Sequence, residues 1–334
     1  MSSISAAADA TNKAGDPLVS IGLPVFNGEN FLDQAIRSAL GQSQGDLELV
    51  ISDNASSDRT AEICLDWAAS DRRVVYRRNT HNLGAAPNYN RAFEMARGRY
   101  FKWLAHDDLL TPTYIERTVG LLEERPDAVL CNSVVEYIDA QGQRLGEYDS
   151  GLDAADRDLP SERFAAMTLR SHSCVDFFAM QRRDAMVGSM LHAPFHGADR
   201  AYLAQMALRG RLVQVKAPLV RMREHPNRYT RRNTSARARL SWHDASSRKK
   251  VHFPVFRLYG EYWSMVRTAG LSPTERRRCE LVLGHWWFCN WNSVRAGVDL
   301  MSVAAPGMVG LAEQVKNRLF GAAPGHFIGT GRPS

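Results

Sequence analysis

A short apolar run that ends in two adjacent carboxylates constrains this chain more than any other feature of its sequence. The run covers residues 100–104 in the segment GRYFKWLAHDDLL, and His106, Asp107 and Asp108 follow it closely. A buried strand that leads into paired acids places negative charge at the carboxyl edge of a sheet, where ligands bind in open α/β folds. Adjacent carboxylates repel each other, so a cation between them and a phosphate would favour the pair. Taken alone, the pair fits better with solvated acids in a loop, and the preceding sequence reverses that preference.

Three strand-and-helix units precede this run. The predicted strands cover residues 18–26, 47–51 and 74–76, and apolar residues at helical spacing predict helices at 30–40, around 60–67, and at 87–96. Strands that alternate with helices predict a mainly parallel central sheet flanked by helices, with right-handed crossovers. Asp53 follows the second strand, so we expect it at the same sheet edge as Asp108.

Two common nucleotide-binding classes are excluded by the turns that follow the strands. The turn after the first strand reads PVFNGEN and lacks the glycine triplet of dinucleotide-binding folds. No Walker A pattern occurs in the sequence, which excludes the P-loop enzymes.

Four segments instead resemble the family 2 glycosyltransferases, which have the GT-A fold. They are VSIGLPVFN at 19–27, LVISDNASSDRT at 49–60, NLGAAPNYNRA at 82–92 and YFKWLAHDDLLTP at 100–112. Their order and spacing agree with the family, and the resemblance extends over residues 17–225. It implies an inverting transferase that moves a sugar from a nucleotide-diphosphate sugar to an acceptor hydroxyl, in cell-envelope, polysaccharide or glycolipid biosynthesis. A non-catalytic nucleotide-sugar-binding protein is the alternative.

The resemblance also implies roles for individual residues in the donor site. Asp53 would hydrogen-bond the base, Asp108 would ligate Mg²⁺ or Mn²⁺, and Asp107 would lie beside the ribose or the metal. Oxygen ligands suit either ion, and few protein ligands are needed when phosphates supply the rest. The remaining contacts to the base, the ribose and the diphosphate are implied for Pro24, Phe26, Asn27, Asn82 and Gly84.

One position departs from the family pattern. His106 occupies the first position of the family's Asp-x-Asp sequence. Histidine can bind Mn²⁺ or hydrogen-bond the ribose, and it can equally be a satisfied turn residue. Metal dependence is still expected.

The resemblance implies a catalytic base at the start of a later helix, in the segment APFHGADRAYLAQMALR. Only Asp199 remains of the two acids that the family can carry there, so we predict it as the general base. The alternative is that Asp199 only caps the helix. Glu136 and Asp139 are weaker candidates because they resemble hairpin residues, and Asp176 because it is predicted to begin a strand.

A basic segment, VRMREHPNRYTRR at 220–232, follows a strand predicted at 218–222. Comparable family loops carry a His that closes over the diphosphate or completes the metal shell. Arg223 and His225 are the candidates for these roles, since a basic loop can stabilise a leaving diphosphate. A solvated basic turn is the alternative.

The C-terminal third has a different character. Lys and Arg are concentrated after residue 200, whereas the first 200 residues carry more Asp and Glu, and the whole chain has a net charge of +6. Helices are predicted at 255–268, 275–296 and 307–320. Trp286, Trp287, Phe288 and Trp291 near Arg276–Arg278 suit a peripheral membrane contact, although core aromatics are the commoner explanation. No nucleic-acid motif accompanies the charge.

The predicted organisation is a disordered N-terminus (1–16), a GT-A domain (17–232), a helical region (233–322) and a disordered tail (323–334). Five widely spaced cysteines indicate neither a disulfide framework nor zinc. No secretory signal and no apolar run long enough to span a membrane is visible. We therefore expect a cytoplasmic protein, with a peripheral position on the inner face of the membrane as the variant.

Overall fold

The computed structural model describes residues 15–195, 197–226, 228 and 253–304. Nearly all of the predicted disordered N-terminus, the helix predicted at 307–320 and the predicted tail lie outside the described residues.

Nine strands of the described chain form one sheet, in the spatial order β3-β2-β1-β4-β8-β6-β9-β5, with β7 paired to β6. In chain order the strands are β1 (Val19–Val25), β2 (Leu47–Asp53), β3 (Val74–Arg78), β4 (Tyr100–Trp103), β5 (Leu109–Leu110), β6 (Ala128–Ile138), β7 (Arg144–Tyr148), β8 (Met180–Arg182) and β9 (Arg211–Arg223). The helices are α1 (Leu32–Leu40), α2 (Thr60–Ser70), α3 (Ala85–Glu94), α4 (Tyr114–Glu124), α5 (Pro160–Leu169), α6 (Arg183–Met186), α7 (Ala198–Arg209), α8 (Pro254–Thr268), α9 (Pro273–Trp286) and α10 (Asn292–Ala304).

The first half of the sheet is parallel, as its alternating strands and helices predict. Every residue of β1 and β2 is buried, because helices cover both faces of the sheet. The register pairs Val25 with Asp53 and Gly22 with Trp103, so β1, β2 and β4 end close together. That shared carboxyl edge carries the loops of the candidate site.

The second half of the sheet is mixed. Strands β6 and β9 run parallel to each other and to β1, while the short strands β5, β7 and β8 run antiparallel to their neighbours. The expectation that Asp176 begins a strand is wrong. This residue lies in a short 3₁₀ helix (Val175–Phe178), and β8 begins at Met180. Its carboxylate accepts hydrogen bonds from the side chains of Asn132 (2.8 Å) and Ser150 (3.1 Å), which hold the residue in that turn.

Two clusters of buried apolar side chains cover the two faces of the sheet. The one that bears on the site includes α3, α7 and the C-terminal helices. At its centre Trp103 of β4 stacks on Phe177, with ring centroids 4.6 Å apart and an interplanar angle of 4°. This stacking fixes β4 against the segment that leads to α7.

The helix predicted at 275–296 is two helices, and this corrects the sequence interpretation. The chain turns over residues 287–291, where Asn290 and Trp291 adopt positive φ angles of 51° and 59°. Trp286 is 2% exposed and Trp287 packs on Tyr259 (4.8 Å), so both belong to the core of this region. Phe288 in the turn is 84% exposed.

All five cysteines are free thiols, and four of them are buried. Within residues 15–195, 197–226 and 253–304, no helix combines the length and the apolar character needed to cross a membrane.

Candidate active site

Asp53 lies at the carboxyl end of β2, where its side chain is fully buried. Its Oδ1 accepts a hydrogen bond from the backbone N–H of Ser56, and its Oδ2 accepts one from the Tyr76 hydroxyl, both at 2.9 Å. The guanidinium of Arg78 lies 3.6 Å away. These contacts hold the carboxylate in one orientation at the edge of the sheet.

A cluster of buried amides, which the sequence analysis missed, fixes the loop beside Asp53. Asn54 donates to the Asn82 side chain (2.9 Å) and to the Gly84 carbonyl (3.1 Å), and it accepts from the Leu83 N–H (2.8 Å). Asn79 donates to both Asn54 and Asn88. Gly84 itself has a φ of 89° and precedes α3, so the predicted diphosphate segment has a defined shape. The sequence signal that could have indicated this amide cluster is the occurrence of asparagines soon after the predicted strands.

The acid pair lies in the loop after β4, and both side chains are buried. Nε2 of His225 donates to Oδ2 of Asp107 at 2.9 Å, and the backbone N–H of Arg223 donates to Oδ1 of Asp108 at 2.9 Å. The structure therefore brings the basic segment after β9 onto the acid pair. The imidazole of His225 also meets the ring of Phe31 edge-on, with centroids 5.0 Å apart.

The two carboxyl groups differ in their preference for a proton. Burial, followed by the negative charge of Asp107, raises the pKa of Asp108 well above its ordinary value. Burial acts in the same direction on Asp107, but the hydrogen bond from His225 and nearby positive charge outweigh it, so its pKa is lowered. A cation beside Asp108 would offset the burial and the negative charge that favour the protonated form of this carboxyl.

Arg223 serves the architecture of this loop. Its side chain is 1% exposed, and its guanidinium donates to the backbone carbonyls of Asp107 (3.1 Å) and Ala140 (3.0 Å) and to the Gln34 side chain (2.8 Å). These hydrogen bonds hold the Arg223 guanidinium in place within the fold. Arg228, which was not predicted, is the next arginine of the segment. Burial acts to lower its pKa, but nearby negative charge, including that of both acids, raises it.

His106 packs closely against the turn that follows β1. A Cβ atom placed on Gly28 would lie 2.7 Å from a ring carbon of His106, so only glycine permits this approach. Asn27 has a φ of 52°, and its side-chain oxygen accepts the Ser57 N–H at 2.9 Å. Pro24 is buried in β1, whereas Phe26 is 45% exposed.

The donor atoms at this edge suit a hard divalent cation only if a ligand completes the shell. Among the residues that the structure describes, no three His, Cys, Asp or Glu side chains converge closely enough to hold a metal ion by themselves. Two carboxylates and a histidine at this sheet edge fit Mg²⁺ or Mn²⁺ that would be shared with phosphate oxygens.

Asp199 lies in the first turn of α7 and is partly exposed. The helix begins after Gly197, whose φ is 92°, and no side chain caps it. Oδ1 of Asp199 accepts the N–H of Arg200 at 2.8 Å. Burial, then the charge of Asp199, raises the pKa of the neighbouring Cys174 thiol.

Two aromatic rings lie between the acid pair and Asp199. Burial, followed by the charges of Asp107 and Asp108, raises the pKa of Tyr89, while His192 lies close enough to feel the charge of Asp199. The centroids of Tyr89 and His192 are 5.0 Å apart. The ring pair therefore spans the space from the acid pair toward Asp199.

A pair of hydrogen bonds joins the two sides of that space. The Asn90 side chain accepts the N–H of His192 at 3.0 Å and donates to its carbonyl at 3.1 Å. This amide clamp connects α3 to the segment that leads into α7. It was not predicted, because its partners are distant in sequence.

The family model described as "Glycosyl transferase family 2" matches residues 20–187. An uncharacterized glycosyltransferase of Rickettsia typhi is 37% identical over 130 residues, which cover 39% of this chain and 40% of that protein. The chain thus matches less than half of the length of that relative.

Solved structures show the fold. Staphylococcus aureus TarS in complex with UDP-GlcNAc has a TM-score of 0.58 at 14% identity, covering 81% of this chain and 72% of that one. The mannosyltransferase PcManGT of Pyrobaculum calidifontis, in complex with GDP-Man and Mn²⁺, has a TM-score of 0.53 at 16% identity, covering 93% and 83%. The chain has the GT-A fold with added C-terminal helices.

Proposed function

Because this chain belongs to glycosyltransferase family 2, we propose that it transfers a sugar from a nucleotide-diphosphate sugar to an acceptor hydroxyl, with inversion at the anomeric carbon. One observation carries the proposal. Asp53 and the acid pair lie at one sheet edge, and the Tyr89–His192 ring pair connects the surroundings of the acid pair to those of Asp199.

The donor would lie along the carboxyl ends of β1, β2 and β4. We assign Asp53 to the base, Pro24, Phe26 and Asn27 to the base and ribose pocket, and Asn82 with Gly84 to the diphosphate. The buried amide cluster supports this assignment, since it holds the 82–84 loop in place before any ligand arrives. Arg223 holds Asp108 through its backbone N–H, and it remains the candidate of this basic segment for the diphosphate contact.

Asp108 is the proposed principal ligand of Mg²⁺ or Mn²⁺, with Asp107, His106 and His225 around it. The bound ion would offset the charge that grows on the diphosphate leaving group. The raised pKa of Asp108 supports this role, because a buried carboxyl of this kind is stabilised by a cation.

Asp199 is the proposed general base. Its carboxylate takes the proton of the acceptor hydroxyl as that oxygen bonds to the anomeric carbon, and the bond from that carbon to the diphosphate oxygen breaks. The nucleoside diphosphate leaves with the electron pair of that bond. Attack from the side opposite the leaving group inverts the configuration.

We assign residues 17–232 to the transferase domain and 233–322 to a C-terminal helical region. A glycan, a glycolipid or a small molecule would be the acceptor, in cell-envelope or polysaccharide biosynthesis. Five free thiols fit a reducing compartment such as the cytoplasm, and the basic C-terminal region suits a peripheral membrane contact.

Donor hydrolysis tests the proposal without knowledge of the acceptor. A panel of nucleotide-diphosphate sugars is incubated with the protein and Mn²⁺, and nucleoside diphosphate release is measured. We expect slow release from one donor class and its loss on chelation. Donor binding without any release, for every donor and both metals, would instead indicate a non-catalytic binder.

Asn90→Ala tests the clamp between the two halves of the site. We expect turnover to fall by about tenfold while donor affinity stays nearly constant, because the segment before Asp199 loses two hydrogen bonds worth roughly 1 kcal/mol each. Asn290→Ala is the matched control, since it removes an amide–carbonyl bond (to Leu169, 3.0 Å) in the C-terminal helices. Equal losses of donor affinity and turnover would contradict a positioning role.

A further inference from the structure

The turn between α9 and α10 presents large apolar side chains to solvent. Leu281 is 75% exposed, Phe288 84%, Trp291 61% and Val294 54%. We call these four residues the C-terminal ridge. Leu65, by comparison, is exposed singly on α2. Clustered exposed apolar side chains mark an interaction surface, whereas isolated ones need no explanation.

The ridge follows from the helical geometry of α9. Cys279, Leu283 and Trp286 recur at core spacing and are buried against the rest of the protein. Leu281 lies on the opposite face of α9, which also carries Arg277 and His285, and Phe288 follows the end of the helix. Two exposed apolar side chains therefore interrupt a surface that is otherwise polar.

Basic side chains flank the ridge. Arg276 and Arg277 are exposed, and neither forms an ion pair within the part of the chain that the structure describes. The nearby acids are largely engaged. Glu275 pairs with Arg278 and accepts the Ser161 N–H, and Asp299 accepts the Val255 N–H, which leaves Glu280.

The charge selects among possible occupants of this surface. The C-terminal residues 305–334 contain more Lys and Arg than Asp and Glu, so their net charge has the same sign as that of the flanking arginines. A second copy in a symmetric contact would bring a second set of these arginines to the same interface. An anionic lipid surface suits both the apolar ridge and the flanking arginines, because it accepts apolar side chains below a layer of negative headgroups.

We propose that the C-terminal ridge, with Arg276 and Arg277 beside it, docks this protein on an anionic lipid surface. The docking would be reversible, since apolar insertion is confined to a turn and the electrostatic part weakens with salt.

The position of the ridge connects this docking to the candidate site. Trp287 packs on Phe256 (5.8 Å), and the next residue of α8, Arg257, lies over the Phe195 ring (5.4 Å). Phe195 precedes the Gly197 turn into α7. Helix α8 thus separates the ridge from the segment that carries Asp199. If the proposed transfer holds, docking would bring a lipid-linked acceptor to the side of the base.

Vesicle co-sedimentation of the full chain tests the proposal. We expect binding to phosphatidylcholine vesicles that contain phosphatidylglycerol, weaker binding at high salt, and little binding to phosphatidylcholine alone. Phe288→Ser should weaken partitioning by about tenfold or more. Arg276→Gln with Arg277→Gln should weaken it by roughly 30-fold at low salt, at about 1 kcal/mol per residue.

Matched controls separate the ridge from general surface effects. Leu65→Ser changes an exposed leucine on α2, and Arg72→Gln with Arg117→Gln removes the same charge elsewhere on the surface. Neither control should change partitioning by more than about twofold on these per-residue scales.

Three results would overturn the proposal. They are equal binding to neutral and anionic vesicles, partitioning that survives Phe288→Ser, and a change of oligomeric state in that variant, which would make the ridge a contact between copies. Donor hydrolysis is measured in parallel without vesicles. A wild type that hydrolyses donor but does not bind anionic vesicles would refute the docking alone, and absent hydrolysis in the wild type would refute the proposed function.

Discussion

Asp108→Asn is expected to abolish metal-dependent donor binding while the fold stays intact. Asp108 is buried in the loop after β4, and this burial, followed by the charge of Asp107, raises its pKa. Asparagine keeps the oxygen that accepts the Arg223 N–H but loses the charge that a divalent cation requires. Titration calorimetry with the donor identified by the panel, with and without Mn²⁺, measures the effect.

The stability of the same variant provides a second readout. Removing one of two buried, adjacent carboxylates relieves their repulsion, so the thermal midpoint without metal should be unchanged or higher. Asp46→Asn is the control, because Asp46 is an exposed acid at the opposite edge of the sheet, before β2. Unchanged donor affinity in Asp108→Asn, in the presence and absence of Mn²⁺, would remove Asp108 from the metal site.

The parallel half of the fold was predictable because its signals are local. Each strand from β1 to β4 is a short apolar run, and each intervening helix shows apolar residues at helical spacing. The topology then requires Asp53 and Asp108 to share one edge, and the register of β1 with its two neighbours shows that they do. No knowledge of distant contacts was needed for that step.

The mixed half depends on pairings that short-range patterns do not encode. Strand β8 has three residues and is held between β4 and β6, so its existence depends on those partners. The break in the helix predicted at 275–296 is similar. Residues 287–291 continue a plausible helical pattern, yet the packing of Trp287 on Tyr259 and the bond from Asn290 to Leu169 turn the chain there.

The residues of the candidate site also differ in whether the local sequence predicts them. Acids at strand ends were found from the sequence, whereas the residues that position them were not. Arg223 was named from the sequence as a candidate for the diphosphate contact. The hydrogen bonds that fix its guanidinium were not predicted, because their acceptors lie on segments that only the fold brings together. The Asn90 clamp to His192 joins residues separated by 102 positions, so no spacing rule could indicate it.

Asp199→Asn is expected to lower turnover by a factor of about 10² or more with little change in donor affinity. The carboxylate is partly exposed, and one of its oxygens is held by the Arg200 N–H. Asparagine preserves the held oxygen and the shape of the side chain but cannot act as the base. The helix is capped by no side chain, so stability should change by less than about 1 kcal/mol, the scale of a charge in the first turn.

Asp184→Asn is a close control for this substitution. Asp184 is exposed in the first turn of α6, and its Oδ1 accepts the N–H of the next residue at 2.7 Å, as Asp199 does at 2.8 Å. The two variants therefore share this local hydrogen bond and differ in their surroundings, since Asp184 is exposed and Asp199 lies partly exposed near His192. Turnover is measured by metal-dependent donor hydrolysis, in which water takes the place of the acceptor and needs the same base. If Asp199→Asn hydrolyses donor as fast as Asp184→Asn, the base lies elsewhere, and Asp199 contributes only its charge to the first turn of α7.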